Sequence, residues 1–174
     1  MSKQIHNVLF LCTGNSARSI MAETLIEHWG QGKFKGFSAG SHPKGEVNPF
    51  TLKLLKQLNF PTDPLRSKDW SEYEPSDAPK MDFVFTVCDK AAAEQCPVWH
   101  GQPMTAHWGI EDPAAFEGDE TQKLLAFRRA CAQLERRVQL FINLPFAKLD
   151  KFKLQEQLDK IGRSDESSTT DSTA

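Results

Sequence analysis

The chain has 174 residues, 39% hydrophobic and 25% charged, which suits one globular domain with a substantial core. Its net charge of −2 excludes a general attraction to nucleic acid or to an anionic membrane, so any affinity for oxyanions must be local. No apolar run approaches the ~20 residues that a bilayer requires, no signal-peptide core precedes the first strand, and four cysteines make no secreted disulfide scaffold, so a reducing cytoplasm is the expected setting.

Residues 5–11 read as the first strand, with the buried run Val8-Leu9-Phe10-Leu11. Cys12 ends it, and Gly14 and Asn15 tolerate unusual backbone angles. Helical spacing of Ile20, Met21, Leu25 and Trp29 starts at Arg18 and predicts a helix over 18–29. Cys12 therefore stands where a strand gives way, through a tight loop, to a helix. N–H groups of such a loop bind anions, and the same positive end with a nearby guanidinium favours thiolate and lowers the thiol pKa. Arg18, six residues on, carries a planar fork that can hold two oxygens of a tetrahedral oxyanion. A thiolate beneath such a cradle suits attack on phosphorus or arsenic. A lone cysteine ending a core strand would read as an inert buried thiol. The loop, Arg18 and Ser19 that follow it turn the reading toward catalysis.

Further along, residues 34–38 form a short second strand, and Asn48 caps a helix with Pro49 at its first position. Leu52, Leu55 and Leu58 mark that helix's expected buried face. The apolar run within 81–87 predicts a strand covered on both faces, 104–107 a fourth strand, and 121–143 and 149–161 helices. Leu149, Phe152, Leu154, Leu158 and Ile161 are the apolar positions of the last helix. The tail 164–174, rich in Ser, Thr and Asp, is expected to be unstructured. Strands alternating with helices imply a parallel α/β sheet with ligands at the carboxyl ends of its strands. The division expected is 1–145 as the domain, 146–163 as a helical extension and 164–174 as the tail.

Cys12-Thr13-Gly14-Asn15-Ser16-Ala17-Arg18-Ser19 resembles the signature of the low-molecular-weight protein tyrosine phosphatase superfamily. His107-Trp108-Gly109-Ile110-Glu111-Asp112-Pro113, with Ser38-Ala39-Gly40, Val47-Asn48-Pro49, Thr86-Val87-Cys88-Asp89 and Cys96-Pro97, is similar to its phosphatase-like arsenate reductases. The resemblance implies a three-layer flavodoxin-like sandwich with a four-stranded parallel sheet. It implies an oxyanion cradle from Thr13, Gly14, Asn15, Ser16, Ala17 and Arg18 around the Cys12 nucleophile, with Ser19 in support of the thiolate. Asp112 of the Asp-Pro pair becomes the general acid, although Asp-Pro also initiates ordinary turns.

The same resemblance makes Cys88 the thiol that releases arsenite and Cys96 its disulfide partner, with thioredoxin, or glutathione with glutaredoxin, as external reductant and no tightly bound cofactor. Were residues 88–96 helical, the two Cα atoms would stand ~12 Å apart, beyond the ~7 Å that a disulfide allows, so their disulfide needs that segment to loop out or unwind. Glu23 and Ser38 match positions that bind potassium in some reductases, but Lys68 stands where a carboxylate would be needed, so no metal is expected. Arg66, Lys68 and Lys90 otherwise read as solvated, and Cys131 as structural. The expected activity is arsenate reduction. The rival is a phosphomonoesterase working through a phosphocysteine, against which Ala114-Ala115 stands in place of the aromatics that shape a phosphotyrosine pocket. A non-catalytic oxyanion sensor is the third reading.

Overall fold

The computed structural model describes residues 4–94, 99 and 101–164. Four parallel strands in the order β2-β1-β3-β4 form its sheet: β1 His6–Cys12, β2 Phe34–Gly40, β3 Phe83–Thr86 and β4 Met104–His107. The helices are α1 Arg18–Gly30, α2 Pro49–Gln57, α3 Asp89–Ala93, α4 Glu120–Ile142 and α5 Lys151–Gly162.

Alternation along β1 sorts the core. Val8 and Phe10 turn to the face covered by α1, α2, α4 and α5, while Leu9 and Leu11 turn to the other. That second face carries a smaller cluster closed by Met81, Trp99, Phe37, Trp70 and Tyr73. On the larger face Phe85 and Trp108 stack at 3.9 Å between ring centroids, with Phe141 edge-on to both. Trp108 Nε1 donates to Leu158 O at 3.0 Å, which ties α5 to the end of β4.

Local chemistry sets the element ends. Asn48 accepts from Phe50 N, with Pro49 at the first helical position. Asp119 and Gln122 form a capping box that starts α4 at Glu120, and Asp150 caps α5. Two expected buried faces are corrected. On α2 the buried residues are Thr51, Leu54 and Leu55, while Leu58 lies beyond the helix and is exposed, because packing against α1 and α4 selects the 51/54/55 stripe. On α5 Phe152 is 74% exposed, and Leu154, Leu158 and Ile161 alone make the buried stripe. The expected unstructured tail beyond Ser164 lies outside the described residues. Among those residues, no helix is long and apolar enough to cross a membrane.

Candidate active site

Parallel register carries Cys12, at the end of β1, beside the end of β3, where Leu11 pairs with Thr86 and Cys88 follows two residues on. The loop 13–17 then wraps above Cys12. Its carbonyls are held from outside: Thr13 O by His42 N at 2.9 Å, Gly14 O by Lys44 N at 3.0 Å, and Ser16 O by Asn48 N at 3.0 Å. Ser67 Oγ also donates to Gly14 O, and Thr51 Oγ1 to Ser16 O. Among the described residues the N–H groups of Gly14, Asn15, Ser16 and Ala17 have no protein acceptor, so this loop is a set of donors awaiting an anion.

Asn15 holds the turn in a left-handed conformation, φ +44°, and is fully buried. Its Nδ2 donates to Ser19 Oγ at 2.8 Å, and its Oδ1 accepts from Lys68 N at 2.9 Å. Gly40 must be glycine, since a Cβ there would lie 2.5 Å from Thr13 O.

Arg18 opens α1 and reaches across the cavity. Nη1 donates to Ile110 O at 3.0 Å, Nη2 lies 3.6 Å from Asp112 Oδ2, and buried Nε has no partner among the described residues. Asp112 is both cap and cavity residue: its Oδ1 accepts from Ala114 N at 3.0 Å while its other oxygen faces Arg18. These residues, with Cys88, line one open cavity of about 470 Å³. Lys90 lines it too.

Cys88 caps α3, its sulfur accepting from Ala91 N at 3.3 Å and lying 3.6 Å from Thr13 Oγ1. It lines the same cavity as Cys12. Interaction between the two thiols opposes the expected lowering of the Cys12 pKa: Cys88, and then burial, push the Cys12 thiol up, with Arg18 pulling the other way. Interaction with Cys12, against burial and aided by Thr13 and Ala91, pulls Cys88 down to about 5. The two thiols titrate as a pair, the first proton leaving below the ordinary thiol range and the second above it.

Helix α3 ends at Ala93, with Glu94 extended. The chain thus leaves helical geometry soon after Cys88. Cys96 lies outside the described residues. Cys131 is buried on the inner face of α4, its thiol pushed up to about 12 by burial.

Three supporting groups escaped the sequence reading. Arg137 is 3% exposed and donates to Trp108 O at 2.6 Å and Gly109 O at 3.0 Å, gripping the segment that leads to Asp112. Its place on the apolar stripe of α4, between Leu134 and Phe141, was the available signal. His107 bridges Thr86 Oγ1 and Asp89 Oδ1, both at 2.8 Å, fastening β3 and β4 to the start of α3. Lys68, read as solvated, is 7% exposed; Arg66 and Lys90 are at the surface as expected, Arg66 in a two-point pair with Glu72. No cluster of His, Cys, Asp or Glu among the described residues is suited to a metal ion.

A sheet-end cysteine under a donor loop, faced by an arginine and an aspartate, defines a protein that handles tetrahedral oxyanions through a sulfur nucleophile. A model described as "Low molecular weight phosphotyrosine protein phosphatase" matches residues 7–156. The arsenate reductase of Halalkalibacterium halodurans is 36% identical over 146 residues, covering 81% of this chain and 96% of that protein. A solved structure of an arsenate reductase in the phosphate binding state superposes with a TM-score of 0.65 at 27% identity, covering 79% of this chain and 97% of the other. That of an arsenate reductase from Archaeoglobus fulgidus gives 0.61 at 28% identity, covering 79% and 99%. The chain belongs to the low-molecular-weight phosphotyrosine protein phosphatase family, in its branch of phosphatase-like arsenate reductases.

Proposed function

We propose that this protein reduces arsenate to arsenite through Cys12, Cys88 and Cys96. The observation that carries the reading is the second sulfur, Cys88, which lines one cavity with Cys12 beside the oxyanion cradle. A phosphatase needs one thiol. A reductase must supply two electrons, and two adjacent thiols can do so by forming a disulfide.

Arsenate binds the N–H groups of 14–17 and Arg18. Cys12 attacks arsenic and hands its proton to Cys88, while Asp112 protonates the departing oxygen, which leaves as water. Cys88 then loses that proton to solvent and attacks Sγ of Cys12. An S–S bond forms, the As–S bond breaks with its electron pair left on arsenic, and arsenite departs. Cys96 attacks Cys88, freeing Cys12 as thiolate and leaving a Cys88–Cys96 disulfide for an external dithiol to reduce. Thioredoxin, or glutathione with glutaredoxin, fits that role, and a reducing cytoplasm fits the chemistry. Residues 1–145 would form the catalytic domain, with 146–163 as an appended helical segment. Ala114 and Ala115 beside Asp112 offer no aromatic walls for a phosphotyrosine ring.

The test is arsenate-dependent NADPH oxidation coupled through thioredoxin and its reductase. Wild type should turn over, and Cys12→Ser, Cys88→Ser and Cys96→Ser should not. Turnover by Cys12→Ser would sink the reading. Turnover of Cys96→Ser with glutathione and glutaredoxin would remove Cys96 from the relay. Hydrolysis of an aryl phosphate without any arsenate reduction would instead favour the phosphomonoesterase.

A further inference from the structure

Behind the loop, away from the cavity that Cys12 lines, a buried ammonium has gathered a shell of oxygens. Lys68 Nζ lies 2.8 Å from Arg66 O, 3.3 Å from Ser38 Oγ, 3.5 Å from Asn15 Oδ1 and 3.7 Å from Glu23 Oε1. Ser38 Oγ donates to the same Glu23 oxygen at 2.5 Å. The four oxygens come from the lysine's own segment, β2, the loop and α1. A monovalent metal ion in this place would need such a set of oxygens, and the residues here do not fit one: Nζ fills the position, and its positive charge would repel a second cation.

We propose that the Lys68 ammonium is a built-in cation that holds Asn15, and through it the anion-binding loop, so that oxyanion binding here is independent of potassium. Lys68 is a positioning residue. It grips the Asn15 amide twice, from its backbone N and from Nζ, at the one loop residue held in the left-handed region. The other end of that amide is spent on Ser19, so Asn15 cannot rotate without losing bonds at both ends. Glu23 supplies the opposite charge. Burial pushes its carboxyl up and pushes the Lys68 ammonium down, and their mutual attraction opposes both shifts. The inference rests on the loop being the oxyanion site.

The experiment reads anion binding alone, apart from arsenate reduction. In the reduced full-length protein, alkylation of the Cys12–Cys88 pair is followed with increasing inorganic phosphate, in potassium, sodium or tetramethylammonium chloride at equal ionic strength. Wild type should be half-protected at the same phosphate concentration, within about twofold, in all three salts. Lys68→Met should need about tenfold more phosphate or beyond, the effect expected when a charge-assisted hydrogen bond that orders the loop is lost. That variant leaves Glu23 buried without its counter-charge, so Glu23→Gln with Lys68→Met is the companion. The double variant should melt close to wild type and still bind phosphate weakly, which a purely stabilising role would not produce. A severalfold potassium effect on wild type, or wild-type protection in the double variant, would overturn the inference. No phosphate protection of wild type in any salt would overturn the oxyanion reading, and this inference with it.

Discussion

Replacing Cys88 by alanine removes the thiol coupled to Cys12 and asks which sulfur carries the charge. Cys88 is pulled down to about 5 from an ordinary thiol value of 9.0, and its interaction with Cys12 is the largest cause. At pH 7 a thiol with that pKa is about 99% ionised. Without Cys88, Cys12 keeps the pull of Arg18 and of Thr13 N–H, but burial opposes them. Its midpoint should then lie at least two pH units higher, near or above neutrality. The assay is thiolate absorbance in the ultraviolet against pH, with Cys96→Ser as the common background. Cys131 is silent below about pH 10, because burial holds it near 12. Cys88→Ala should therefore abolish the transition near pH 5. A midpoint that stays near 5 would refute the reasoning and place the low-pKa thiolate on Cys12, held by the loop and Arg18.

Arg18→Lys keeps the charge but loses the fork; two charge-assisted hydrogen bonds at about 1.5–3 kcal/mol each predict a fall in arsenate kcat/KM of about a hundred- to ten-thousandfold, and an unchanged value refutes the clamp. Asp112→Asn should slow arsenite release in a single turnover by about a hundredfold or more while phosphate still protects the thiols, as loss of a proton donor requires; wild-type release would remove Asp112 from the chemistry. Gly40→Ala sets a Cβ 2.5 Å from Thr13 O and 2.9 Å from Cys12 O, both backbone, so the urea midpoint should fall by the equivalent of about 1–3 kcal/mol. Between pH 5 and 9 the unfolded chain holds a proton on Cys88 that the folded chain has released. The reduced protein thus gains stability as pH rises through that window and loses it as pH falls through 5. Cys12, shifted the other way, subtracts stability only above the ordinary thiol value. Urea midpoints of reduced wild type should accordingly rise from pH 6 to 8 relative to Cys88→Ala, and parallel profiles would contradict the shift.

Much of the fold was legible because its determinants act over a few residues. The β1–loop–α1 unit, the Asn48-Pro49 helix start and four strands near their true positions follow from apolar runs, caps and turn residues read in order. Cys12, Arg18 and Asp112 were legible as chemistry, the first two because they sit within one turn of the same loop. Which helix faces are buried was less so: periodicity on α2 and α5 offered Leu58 and Phe152, and packing against neighbouring elements left both exposed. The sequence by itself determined the strand that ends in Cys12, the proposed nucleophile, and the loop above it. Only the tertiary structure decided that a second thiol is coupled to Cys12, because parallel pairing of β1 with β3 brings Cys88 into the same cavity from 76 positions away in the chain (88 − 12). It also decided that Lys68 is buried behind Asn15 and that Arg137 grips the segment before Asp112. Such contacts join distant segments, and nothing in local propensity encodes the pKa of a group whose partner arrives only when the sheet closes.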